Sequence, residues 1–281
     1  MTGGRVVRSL GVQRERRLAE GPRRSAFPQV KAVMASLVQG CPWCYVGKAR
    51  FEKALAAFPH RDEVEVVHRS FELDPGRAKD DIQPVITMLT RKYGMSEAQA
   101  EAGEDNLGAQ AAAEGLPYRT RGRDHGSTFD MHRLLHFARE RGRQTELLDL
   151  LYRANFAEER SVYDDDERLV ELAAAAGLDA DAARRVLADP EAYADGVRAD
   201  EREAAQLGAT GVPFFVLDRA YGVSGAQPAE VFARALDQAW GERPRLKPVD
   251  GGSGAADGQD TRDGGDAGEV CGPDGCAVPQ H

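Results

Sequence analysis

Apolar and polar positions recur with different periods along this 281-residue chain, and the changes of period divide it. Residues 32–38, AVMASLV, form a short, mostly apolar run that reads as a buried strand closed by Gly40. A helix is expected from Pro42, because proline suits the first helical position, where an N–H would be unbonded anyway. Phe51, Leu55 and Phe58 then recur at i, i+4 and i+7, which gives that helix one buried stripe. Residues 64–71, VEVVHRSF, are rich in β-branched positions and predict a second strand. Asp74-Pro75-Gly76 ends it.

From about Asp80 to Gly208 the period is helical almost throughout. Ser96 and Gln99 have the spacing of a capping box, and Gly115 is a plausible stop. Further helices are expected from Ser127 or Thr128 to Arg141, from about Gln144 to Glu159, and after Asp164–Asp166 as far as Gly177, with two more before Gly208. Strand character returns at VPFFVLD, residues 212–218, and with YGVSG, residues 221–225, it reads as a hairpin. A last amphipathic helix spans about Pro228 to Trp240. Residues 249–270 collapse to Gly, Asp, Ala and Ser, the composition of a flexible linker.

These periods give an α/β fold in which one sheet domain (residues 32–78 and 209–245) is interrupted by an all-helical insertion (79–208). A basic arm precedes it (1–31) and a Gly/Asp-rich tail follows (246–281). No internal repeat is visible. Composition then narrows the function classes. The formal net charge of −9 argues against a nucleic-acid binder, which needs a basic surface for phosphates. No apolar run is long enough to predict a membrane span. The arm carries eight Arg or Lys against two Glu. Its Arg16-Arg17 and Arg23-Arg24 pairs are not followed by an apolar segment, so it reads as a disordered arm, or else as a transit peptide.

The four cysteines fall into two close pairs, Cys41/Cys44 and Cys271/Cys276. They are too few for a secreted disulfide scaffold, and the expected compartment is the reducing cytoplasm, where close pairs are catalytic, redox-sensing or metal-binding. Cys41 stands where a cap residue would, at the positive end of a helix dipole that favours a thiolate. Cys44 lies one turn inward, close enough to attack a mixed disulfide formed at Cys41. Two other readings remain. A zinc site needs four ligands, and only the distant tail pair could complete it. The cysteines could also be inert core residues. The preceding strand and the Pro42 start favour the redox pair.

CPWCYVGKARFEKAL, followed far downstream by GVPFFVLDRAYGVSGAQP, resembles the DsbA-family thiol oxidoreductases of the FrnE type, over about Gly40 to Trp240. The resemblance implies a thioredoxin-like fold with a large all-helical insertion. It implies that Pro213 is a cis-proline facing the redox pair and that Val212 offers backbone hydrogen bonds to substrate. Pro42 and Trp43, between the cysteines, become substrate contacts. STFDMHRLLHFARERG resembles the helix that faces the active site in this superfamily, making His132 a candidate neighbour of the thiolate. His132 and His136 can equally share one structural helix face. Related isomerases and kappa-class glutathione transferases carry Ser in place of Cys41, so two cysteines favour disulfide exchange.

The expected function is therefore thiol–disulfide exchange with protein substrates through Cys41 and Cys44, with no metal and no bound cofactor. A low-molecular-weight thiol is a candidate recycling partner, and nucleic acid and membrane are not expected partners. The alternatives are a thiol-dependent isomerase or transferase acting on a small aromatic, and a redox-sensing adaptor without catalysis. Cys271 and Cys276 are a candidate accessory redox pair. Gly-Pro-Asp-Gly between them favours a tight turn that could bring the thiols together.

Overall fold

Strand β1 (Val30–Ala35) occupies the interior of a four-stranded sheet of order β2–β1–β5–β6. It runs parallel to β2 (Val64–His68), with Val30 opposite Val64, and antiparallel to β5 (Phe214–Leu217), with Ala32 opposite Leu217. Strand β6 (Tyr221–Ser224) forms a hairpin with β5. Two parallel neighbours cannot be joined by a tight turn, and helix α1 (Pro42–Ala57) makes the crossover. The structure, a computed structural model, describes residues 30–35, 40–209 and 211–242.

The core of this layer is aromatic. Phe51 of α1 lies 5.5 Å from Phe215 of β5 and 5.7 Å from Phe232 of α9 (Ala229–Glu242), and Phe215 and Phe232 meet edge to face at 4.6 Å. All three rings are buried. Helix α1 is thereby held between sheet and α9, and its first turn is placed at the end of β1.

Two boundaries differ from the sequence reading. Strand β1 starts at Val30, inside the segment assigned to the basic arm, because every residue from Val64 to His68 finds a partner in β1. The second strand stops at His68 rather than running to Phe71. Beyond it the backbone turns to side chains of the insertion: Ser70 N–H donates to Asp200 (2.9 Å) and Glu72 N–H to Glu201 (3.3 Å).

The insertion contains α2 (Val85–Tyr93), α3 (Glu97–Ala113), α4 (Phe129–Arg139), α5 (Gln144–Ala157), α6 (Asp166–Ala175), α7 (Ala180–Ala188) and α8 (Ala194–Gln206). Ser96 and Gln99 close both halves of the expected capping box on α3. The insertion is not purely helical. A two-residue ladder joins β3 (Gln83–Pro84) to β4 (Asp124–His125), too short to leave any alternating pattern in the sequence.

Polar side chains fasten the insertion to the sheet layer. Lys48, buried on α1, pairs with Asp149 of α5 at 2.5 Å and with Glu52 at 2.6 Å. Arg50 donates to Glu114 (2.8 Å), to Gln110 of α3 (2.7 Å) and to the Ala226 carbonyl (2.7 Å), tying α1, α3 and the turn after β6 together.

Candidate active site

Cys41 is the N-cap of α1, with φ −104° and ψ 106°, and the Cys44 N–H donates to its carbonyl at 3.0 Å. Extended backbone at the cap followed by Pro42 sets the Cys41 side chain beside the first N–H groups of the helix, without a side-chain capping hydrogen bond. Cys41 is 6% exposed and Cys44 fully buried, and no disulfide joins them. The Cys41 thiol is held below its ordinary pKa, foremost by a hydrogen bond from the Cys44 side chain. Burial opposes this, and the N–H groups of Cys44 and Trp43 add to the depression.

The Val212–Pro213 peptide bond is cis, and its loop faces this sulfur. Protonated Cys41 donates to the Val212 carbonyl, with 3.8 Å between Sγ and oxygen. The sulfur therefore has two polar sides. A thiol points to Val212, whereas a thiolate accepts from α1. Ionisation leaves the Val212 carbonyl without that donor, in a position to accept from an incoming peptide.

A glycine in α1 allows the approach of the loop. A Cβ on Gly47 would lie 2.9 Å from Cγ of Pro213 and 3.4 Å from the Ala226 backbone. Helix interiors disfavour glycine by up to about 1 kcal/mol against alanine, so its place here reflects lack of space. The Gly225 N–H in turn donates to the Pro213 carbonyl at 2.8 Å and fixes the loop to the hairpin.

Behind the cysteines lies Tyr152 of α5, fully buried. Burial foremost, and then the charges of Cys44 and Cys41, push its phenol far above the ordinary value, so it stays neutral. The rings of Tyr45 and Phe156 lie within 5.8 Å of it and of each other, closing this side of the site with aromatic rings.

In front, Cys41 opens into a cleft of about 360 Å³ between α2, α3 and β4. Pro42 and Trp43 line its sheet-domain side, and Trp43 is 37% exposed. On the insertion side stands His125, whose ring lies 3.7 Å from where a Cβ on Gly40 would be. His125 is buried, and its Nε2 has no hydrogen-bond partner among the described residues. Burial first, then the charges of Arg77 and Lys92, lower its pKa to about 4, so the ring is neutral near pH 7.

Cys41, Cys44, Val212, Pro213, Pro42 and Trp43 are thus gathered in one place. His132 is not. It is fully buried on α4 and feels His136, Asp200 and Arg198; its pKa falls to about 3, chiefly through burial, and it does not line the cleft. His132, Leu135 and His136 are all buried on α4, and His136 Nε2 lies 3.1 Å from Asp200 and 3.2 Å from the Ser70 hydroxyl. Cys271 and Cys276 lie outside the described residues. Among the described residues no group of three or more His, Cys, Asp or Glu could hold a metal, and no helix is long and apolar enough to cross a membrane.

Sequence reasoning missed His125 and Gly47. His125 is an isolated histidine in a polar stretch and carries no local signal. Gly47 did carry one, as a lone glycine inside a strong helix.

Cys41 at the N-cap of the crossover helix, Cys44 one turn inward, and a cis-proline opposite them before an antiparallel strand are the arrangement of a thioredoxin-like fold. Residues 40–237 match the family model of the DSBA-like thioredoxin domain, and the chain belongs to that family. It is 73% identical to a probable DsbA oxidoreductase of Streptomyces coelicolor, whose crystal structure superimposes with a TM-score of 0.76 over 89% of this chain and 100% of that one. The cytosolic disulfide reductase DsbM of Pseudomonas aeruginosa shares the fold, with a TM-score of 0.50 and 20% identity over 74% of this chain and 97% of its own. The uncharacterized protein YwbO of Bacillus subtilis is 28% identical over 197 residues, covering 70% of this chain and 90% of YwbO.

Proposed function

We infer that the protein exchanges disulfides with protein substrates, with Cys41 as nucleophile and Cys44 as resolving thiol. The Cys41 thiolate attacks one sulfur of a substrate disulfide. The bond from Cys41 to that sulfur forms, the substrate S–S bond breaks, and the departing sulfur takes up a proton. Deprotonated Cys44 then attacks Cys41, forming the Cys41–Cys44 disulfide and releasing the second substrate thiol. The substrate gains two electrons and two protons, and the pair loses them. The reverse sequence oxidises a substrate dithiol.

The observation that carries this reading is the position of Cys41. It is the N-cap residue of α1, its thiol has a depressed pKa, and its sulfur lies 3.8 Å from the Val212 carbonyl oxygen. That carbonyl can accept from the main chain of any extended peptide, which suits substrates of varied sequence. Stabilising the thiolate also stabilises the reduced pair and makes its disulfide a better oxidant. No bound cofactor is needed, because both electrons reside on the sulfurs. A cytoplasmic low-molecular-weight thiol would serve to recycle the pair.

The test is a Cys44→Ser variant incubated with a disulfide-containing protein. Non-reducing electrophoresis and peptide mass spectrometry should find a mixed disulfide at Cys41 that accumulates and is released by reductant. Adducts distributed equally among the remaining cysteines would reject the assignment.

A further inference from the structure

We propose that His125 is a general base for the substrate thiol, accepting its proton while the thiol sulfur attacks Cys41 of the Cys41–Cys44 disulfide. The proposal rests on the exchange reading above and adds to it a residue of the insertion. The ring edge that carries Nδ1 and Cε1 faces Gly40, the residue before Cys41, with both atoms 3.7 Å from where a Cβ on Gly40 would be. His125 and Cys41 line the same cleft, so a sulfur that reaches Cys41 through it comes near this ring. Nε2, on the other side of Cε1, is buried and has no hydrogen-bond partner among the described residues. Leaving a buried ring nitrogen unpaired is destabilising. Next to a reactive atom, such an orphan is accounted for by a partner that arrives with the substrate.

The ring is held in place from two sides. The backbone of His125 pairs with Gln83 in the β3–β4 ladder, and the Tyr163 ring lies 6.5 Å away. Gly126 lets Tyr163 come close, since a Cβ there would lie 2.9 Å from that ring. The Cys41 sulfur bonds to Val212 and not to His125, which leaves the imidazole to a substrate sulfur. Charged groups reach the ring from the segment between β2 and β3 and from α2. Arg77 and Lys92 oppose its protonation, while Asp74 and Asp81 favour it, and Arg77 is itself paired with both carboxylates (3.2 and 3.0 Å). Asp124 of β4 and the Glu104–Arg123 ion pair complete the charges lining the cleft. Burial and the cations keep the ring neutral near pH 7, and the neutral ring is the form that accepts a proton.

In the attack the S–H proton of the substrate passes to the unprotonated ring nitrogen, and the electron pair left on sulfur forms the bond to Cys41. The Cys41–Cys44 bond breaks, and its electron pair stays on Cys44 as the thiolate. The imidazolium then loses its proton to water at the open side of the cleft. In the opposite direction, the imidazolium gives the proton to the substrate sulfur that leaves Cys41.

The experiment measures the rate at which the disulfide form of the full chain oxidises a cysteine-containing peptide between about pH 6 and pH 9. It compares the parent with His125→Leu and with His125→Gln, which keeps a polar group in the buried position but cannot take up a proton. A peptide thiol with a pKa of about 8.5 is only about 0.3% thiolate at pH 6, so the base matters most there. Both variants should be slowed at least about tenfold at pH 6 and should match the parent within about twofold at pH 9, where the substrate ionises unaided. An equal loss at both pH values would mean that the substitutions only disturb the cleft. A parent-like profile in His125→Gln would mean a hydrogen bond without proton transfer. Either result, or parent-like rates in both variants, overturns the proposal and leaves the exchange reading standing. No oxidation by the parent at any pH overturns the exchange reading and the general base with it.

Discussion

The two sides of the Cys41 site are built from different materials. On the sheet side, the Val212–Pro213 loop offers main-chain atoms, held close to the sulfur by the missing side chain of Gly47. On the insertion side, α2, α3 and β4 offer mostly side chains, with one unsatisfied ring nitrogen at His125. Main-chain contacts are available to any peptide, whereas side-chain contacts discriminate. A common exchange chemistry and a substrate preference can therefore reside in separate elements, and each can be altered without the other.

Removing the sulfur defeats both sides at once: Cys41→Ser should abolish exchange with every disulfide substrate, measured by release of substrate thiol. Gly47→Ala attacks the main-chain side alone. It gains about 0.5–1 kcal/mol of helix propensity but meets Pro213 and Ala226, and such overpacking costs about 1–3 kcal/mol. Exchange should fall by about tenfold, the equivalent of roughly 1.4 kcal/mol, with a modest fall in Tm. Full activity in this variant would mean that the close approach of the loop is dispensable.

Two of the buried histidines, His132 and His125, separate sealed core from open cleft. His132 is neutral when folded, with a pKa near 3, and protonates near 6.5 when unfolded. The unfolded state therefore binds more protons between these values, and stability falls as the pH drops below about 6.5. Urea unfolding should register a loss on the order of 2 kcal/mol from this residue between pH 7 and pH 5, and His132→Leu should flatten that slope. His125→Leu should instead slow exchange, most at low pH. An unchanged acid slope in His132→Leu would show that the core admits water or the proton.

Cys44→Ala should raise the pKa of Cys41, because the Cys44 hydrogen bond is the foremost cause of its depression. Since the thiolate is the reactive form, alkylation of Cys41 near neutral pH should slow, as followed by peptide mass spectrometry across pH. The smallest expected effect is that of Trp43→Ala at the cleft rim. It should change the exchange rate by no more than a few-fold and leave Tm nearly unchanged, since Trp43 is over one-third exposed.

Local patterns determined much of this protein. The apolar stripe of α1, the capping box at Ser96, the hairpin near Phe214–Ser224 and the cap position of Cys41 all follow from contacts or dihedral preferences within a few residues. The resemblance in two separated motifs added Pro213, which no local period could have brought to Cys41. What remained depended on distant chain meeting distant chain. Strand β1 acquired its limits from pairing with β2, and β2 lost its expected end to carboxylates on α8. Whether His132 faces a core or a cleft was undecidable from spacing, since a helix face can turn toward either with the same pattern. Tertiary packing turned His132 inward beside Asp200, while a two-residue ladder brought His125 to Gly40, so a reactive neighbour was set by chain approach rather than by sequence period.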